Sequence, residues 1–89
     1  MLERHLTVAN RLGLHARATA KLVQLLSGFQ CNATLAAKGR EVNAKSIMGV
    51  MLLAAGQGTT VTVRTDGTDE AAAMDAVADL FERRFDEEG

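Results

Sequence analysis

CNATLAAKGREVN, residues 31–43, decides how this chain folds. CNATLAA reads as a modest strand and REVN as a second one. The Lys38-Gly39 pair between them sets a glycine between two extended runs, which marks a hairpin turn. Upstream, Ala16, Ala20, Val23 and Ser27 align at helical spacing, widened by Leu22 and Leu26, and Gly28 ends the run. Further upstream, Leu2, Leu6 and Val8 fall on one face at period two with Glu3, His5 and Thr7 opposite, predicting a strand. Asn10-Arg11-Leu12-Gly13 is the loop between them. Downstream, Ser46 is a good N-cap for IMGVMLLAA, a short helix that Gly56 and Gly58 close. TTVTVRT, residues 59–65, is a β-branched strand with Val61 and Val63 on one face. Asp66-Gly67 is a turn. Thr68 then caps a last helix whose Asp69 and Glu70 suit its dipole and whose Ala73, Val77, Leu80 or Phe81, and Phe85 form the buried stripe. The order is β-α-β-β-α-β-α. It predicts an α+β, two-layer fold, a four-stranded antiparallel sheet with helices on one face. The first six elements also describe a ferredoxin-like unit, and element order alone does not separate the two.

The chain has 89 residues, enough for one domain over 1–89 with a core but no need of a metal or disulfide staple. Its three aromatics are all Phe, so Leu, Val, Ile, Met and Ala must build that core. Cys31 is alone, which excludes an intramolecular disulfide and a cysteine-based metal site, and no second ligand sits at helical spacing from His15. We expect no metal and no cofactor. No signal-peptide run opens the sequence and the longest apolar stretch, Val50–Ala55, is too short to cross a bilayer, so a cytoplasmic protein without membrane insertion is the expectation. The net charge of −1 hides an asymmetry: residues 1–65 carry +6 and residues 66–89 carry −7. The basic part can steer an anionic group or an acidic partner, although solvated charges and one acidic helix give the same totals.

The start of the first helix is chemically odd. GLHARATA places His15 at or just before the cap and Arg17 in the first turn, where a positive charge opposes the helix dipole and His is not a favoured cap. A helix N-terminus offers unpaired N–H groups to an anion, and a neutral imidazole is a nucleophile near pH 7. A phosphoryl group accepted by His15 and paired with Arg17 would explain both residues. A solvent-facing loop histidine remains the plainer alternative. In NAKSIMGVML, Ile47, Met48, Met51 and Leu52 crowd a short helix; the methionines either form an adaptable patch for a protein partner or fill gaps in the core. Ser46 is first a cap and second a phosphorylation site whose charge would fall beside that patch. Gly56-Gln57-Gly58 lacks the rest of a dinucleotide or P-loop signature, Arg83-Arg84 is too short for a nucleic-acid patch, and the lack of Tyr and Trp argues against base stacking.

Together, GLHARATA and VNAKSIMGVMLLAAGQGT resemble the HPr family, the histidine-containing phosphocarriers of the bacterial phosphoenolpyruvate-dependent sugar phosphotransferase system. The resemblance runs from the first strand to the last helix. It implies an open-faced β-sandwich, with the four-stranded antiparallel sheet covered on one face by three helices. It implies that His15 takes a phosphoryl group on Nδ1 from the phosphorylated first enzyme of the system, beside the backbone N–H groups of Ala16 and Arg17. The group then passes to EIIA-type, sugar-specific or regulatory acceptor proteins. Arg17 matches the family's phosphate-stabilising arginine, and Ser46 the serine modified by HPr kinase/phosphorylase. Ala20, Ile47, Met48 and Met51 match its docking face. Such a protein is a monomeric carrier, not an autonomous enzyme.

Two positions depart from the pattern. Ala18 stands where many relatives have Pro, which removes no chemical group but softens the helix start, and Leu12 replaces a small polar residue near the phosphate. Two other classes stay open at this stage. An acylphosphatase-like enzyme would use Arg17 as an anion clamp and give His15 no role, and a nucleic-acid module would show salt-sensitive oligonucleotide binding.

Overall fold

The computed structural model describes residues 1–87. Its elements are β1 (Leu2–Thr7), α1 (Ala16–Ser27), β2 (Asn32–Ala37), β3 (Arg40–Asn43), α2 (Ile47–Leu52), β4 (Thr60–Asp66) and α3 (Glu70–Glu82), followed by a single 3-10 turn, Arg84–Asp86. The hairpin forms as its sequence predicts. Ala37 pairs with Arg40, and the two residues between them, Lys38 and Gly39, both take positive φ, the turn that matches the twist of the flanking strands. Lys38 Nζ then donates to the Ala54 carbonyl just past α2, at 2.9 Å, so the turn also holds the helix that follows it.

The four strands form one antiparallel sheet in the order β1-β4-β2-β3. β4 lies between β1 and β2, its Val63 opposite Leu35 on one side and Arg4 on the other. Alternation then sorts the two faces. Ala33, Leu35, Ala37, Val61, Val63 and Thr65 point inward and are buried. Across from them lie Leu22 and Leu26 of α1, Val50 of α2 and Val77 and Phe81 of α3, all buried. The opposite face is polar and open. There Arg64 of β4 bridges Glu3 of the adjacent β1 at 2.6 Å and reaches across β2 to Glu41 of β3 at 2.9 Å, and Thr62 meets His5 at 3.0 Å. The fold is the α+β open-faced sandwich, with α1, α2 and α3 on one side of the sheet.

Local readings needed correction at five places. The buried stripe of α1 is Ala18, Thr19, Leu22, Val23 and Leu26, whereas Ala16 and Ser27 are exposed; the helix packs against both α2 and α3. β1 is an edge strand, and its Leu2 is exposed. α2 stops at Leu52, because Ala54 turns to φ +49 and carries the chain away. Thr68 does not cap α3: Asp69 occupies that position, and its carboxylate faces away from the helix to accept from the Gln30 and Cys31 N–H groups at 2.7 and 2.9 Å. Phe85 is buried but lies past the end of α3, delivered by three successive residues of positive φ, Arg84, Phe85 and Asp86. Its ring tilts against Phe81 with centroids 4.9 Å apart.

Candidate functional site

The loop between β1 and α1 is built on a close backbone crossing. Gly13 has φ +69, and a Cβ there would stand 2.6 Å from the Ala55 carbonyl oxygen and 2.7 Å from Gly56 Cα. That approach lets Leu14 N–H donate to Ala55 O at 2.8 Å, which sews the start of α1 to the end of α2. Thr19 Oγ1 donates to Leu14 O at 3.2 Å from inside the core. Between these two fixed points the chain enters α1, and His15 is the residue at the entry.

His15 is the N-cap of α1, in extended conformation, and its Nδ1 accepts from Arg17 N–H at 3.3 Å. The imidazole thus does what Ser or Asp does in an ordinary helix cap: it satisfies one of the surplus N–H groups of the first turn. No acid sits in that turn, so the positive end of the helix is uncompensated by its own sequence. The His15 side chain is 27% exposed, so part of the ring faces solvent. Arg17 is exposed beside it and Ala16 is exposed as well, while Ala18 is buried as the first core residue of the helix.

The other edge of the ring meets two residues the sequence reading did not single out. Nε2 lies 2.7 Å from Glu87 Oε1. Asn10, fully buried, donates through Nδ2 to Glu87 Oε2 and to the Gly13 carbonyl, the latter at 2.7 Å, while its Oδ1 has no partner among the described residues. No local signal points to Glu87, which stands 72 residues from His15 in an acidic run that reads as solvated surface. Its place depends on the bend at Arg84–Asp86, itself fixed by Lys21 Nζ donating to Phe85 O at 2.9 Å.

Past the Ala55 crossing lies α2. Ser46 caps it, Oγ accepting from Gly49 N–H at 3.1 Å. Val50 is the one buried residue of that helix; Ile47, Met48, Met51 and Leu52 are exposed, Met48 by 77%, so the methionines do not fill the core. Ala20 of α1 is half-buried. Leu12 is 67% exposed in the loop that carries His15. The site therefore joins a nucleophilic ring at a helix start to an apolar surface on the neighbouring helix. Among the described residues no group of His, Cys, Asp and Glu could hold a metal ion, and no helix is long and apolar enough to cross a membrane.

Known proteins share this fold. Residues 2–83 match the family model described as the PTS HPr component phosphorylation site. A phosphocarrier protein HPr of Xylella fastidiosa is 70% identical over 88 residues, covering 99% of both chains. The crystal structure of HPr-C-His from Thermoanaerobacter tengcongensis superposes with a TM-score of 0.96 at 42% identity over the whole of both chains. A crystal structure of an HPr dimer from the same organism matches at 41% identity and a TM-score of 0.79, covering 98% of this chain and all of that one. With the sequence motifs, the strand order and the full-length relatives in agreement, the chain belongs to the HPr family of phosphocarriers of the phosphotransferase system.

Proposed function

We propose that His15 accepts a phosphoryl group on Nδ1 from the phosphorylated first enzyme of the phosphotransferase system and passes it to an EIIA-type or regulatory acceptor. The observation that carries this reading is the cap: Nδ1 lies over the Arg17 N–H at the open end of α1. In the transfer, the Nδ1 lone pair attacks phosphorus, the bond from phosphorus to the donor enzyme breaks, and the donor keeps that electron pair. The Arg17 N–H then donates to a phosphoryl oxygen in place of Nδ1, and the neighbouring Ala16 N–H lies on the same turn. The helix end and the Arg17 guanidinium offset the new charge. Because the site is partly open to water, that stabilisation is screened and the group can leave again, as a carrier requires.

Ala20, Ile47, Met48 and Met51 form the docking surface in this reading. Weak, short-lived contact with several partners suits a small patch of exposed methionine and isoleucine. Ser46 is the regulatory serine: a phosphate added there by HPr kinase/phosphorylase would set negative charge beside the apolar contact. The protein acts in the cytoplasm as one domain over residues 1–89, a carrier whose own chemistry is limited to the phosphohistidine intermediate. It works as a monomer, and sedimentation at working concentration tests this against the dimer known for the Thermoanaerobacter relative.

The deciding experiment supplies phosphoenolpyruvate and a purified first enzyme to the wild type and to His15→Ala, followed by intact mass and phosphorus NMR. One acid-labile, base-stable phosphoryl group on the wild type and none on the variant is the expected result. Equal labelling of the variant, or no labelling of the wild type by a donor from the same genome, overturns the reading. Incubation with HPr kinase and ATP should modify the wild type and spare Ser46→Ala.

A further inference from the structure

We propose that Glu87 is a positioning residue for phosphoryl transfer: its carboxylate, seated between Asn10 and the Nε2 edge of His15, holds the imidazole in the tautomer whose Nδ1 carries the free electron pair. The inference rests on His15 being the phosphoryl acceptor and adds a role for a residue 72 positions away.

A neutral imidazole has one N–H and one lone pair, and two tautomers of similar energy share them. Only the form protonated on Nε2 can attack through Nδ1. Two contacts on opposite edges of the ring select that form. Arg17 N–H is a donor, so the atom it faces, Nδ1, must be an acceptor. Glu87 is a carboxylate that accepts only, so the atom it faces at 2.7 Å, Nε2, must carry the proton. The cap contact is long, 3.3 Å, and is given up when Nδ1 reacts; the carboxylate contact persists through the reaction. Once phosphorus is bonded to Nδ1 and hydrogen to Nε2, the ring gains positive character, and the carboxylate beside the N–H offsets it. This is the service an orienting carboxylate gives a catalytic histidine elsewhere.

The carboxylate is held on both sides. Asn10, fully buried, donates to the Glu87 oxygen that does not face the ring, and the Asn10 amide is pinned in turn by the Gly13 carbonyl. The segment that delivers Glu87 is anchored by the buried Phe85 ring, by Lys21 Nζ on Phe85 O, and by Arg83, which spans Asp79 at 2.9 Å and Asp86 at 2.6 Å. Three successive residues accept a left-handed backbone to make the bend. Glu87 itself is only 18% exposed. A tail that merely trailed in water would need none of these.

The test is Glu87→Gln, which keeps the shape and removes the charge. A Gln amide presents one acceptor oxygen and one NH2 group, so it cannot accept from His15 and Asn10 with both atoms, and its NH2 can face Nε2 and draw out the other tautomer. Ring 15N–1H spectra of the full chain, taken about two pH units above the ordinary histidine value, report the tautomer directly. His5, the one other histidine, sits on the open sheet face against Thr62 and serves as the internal reference. The wild type should show His15 protonated on Nε2. The variant should show a mixture at His15, an unchanged His5, an unchanged melting temperature and phosphorylation from the first enzyme slowed about three- to tenfold, the scale of a partly exposed charged contact. A His15 tautomer that ignores the substitution, or a tautomer shift with no change of rate, overturns the positioning role. Absence of label on wild-type His15 overturns the acceptor reading instead, and is recognised by a ring that is correctly protonated yet unreactive.

Discussion

Arg17 opposes the dipole of its own helix, and a residue that costs stability in the resting protein can be removed without harm to the fold. Arg17→Ala should melt at or slightly above the wild-type temperature, since the side chain is exposed, while phosphoryl transfer through His15 falls about tenfold or more, the loss of a charge-assisted bond to the phosphoryl group. Thermal unfolding and single-turnover transfer measured on one preparation separate the two effects; a variant that melts early, or transfers normally, removes Arg17 from the site. Gly13→Ala should do the reverse. Its Cβ would meet the Ala55 carbonyl at 2.6 Å in a backbone region that L-residues avoid, so we expect about 2–4 kcal/mol of lost stability by denaturant titration. At this scale the sequence was readable wherever chemistry was local. The oddness of His15 and Arg17 at a helix start lies within three residues, and so does the cap at Ser46. Asn10 and Glu87 were not readable, because their meaning comes from a contact across 77 positions that no periodicity encodes.

Helix and strand boundaries follow from short-range rules, and the hairpin, α1, α2 and β4 all lie close to where residue patterns put them. The cap of α3 was misplaced by one residue for a reason that pattern reading misses: Asp69 is occupied in holding the loop before β2, so the first turn makes do without a side-chain cap. The stripe on α1 was rotated because its burial is set by two neighbouring helices, not by the sheet alone. For α2 the cap is testable by itself. Ser46→Ala should cost about 1 kcal/mol, while Ser46→Asp restores a capping oxygen and with it most of the stability. If the patch beside Ser46 is the docking surface, Ser46→Asp should still slow transfer to and from partners. Equal transfer by both variants, measured at matched fold stability, would detach Ser46 from partner control.

Carboxylates hold the whole molecule together at its seams, and their sign fixes its response to acid. The Gln30 N–H, and after it the Cys31 N–H, keep Asp69 below the usual carboxylate range; Arg64 does the same for Glu3, the Gly67 N–H for Glu70 and Arg83 for Asp86. Each folded value lies below its unfolded one. The stabilisation is therefore complete above the unfolded values, near pH 4, and is lost as pH falls through the lower folded values. Unfolding midpoints should be flat at neutral pH and drop below about pH 4, and Asp69→Asn should be less stable at neutrality with a shallower acid limb. An acid limb of unchanged slope would assign the sensitivity to other groups. The strand order β1-β4-β2-β3 has a consequence in time as well as in space. The 31–43 hairpin is the sole part of the sheet that neighbouring residues can close. The first strand made during synthesis has no partner until residues 60–66 have followed it out, because Leu6 pairs with Val61 and Leu2 with Thr65. The nascent chain therefore carries β1 unpaired while the residues up to β4 are added, and the β1 edge of the sheet closes only after them.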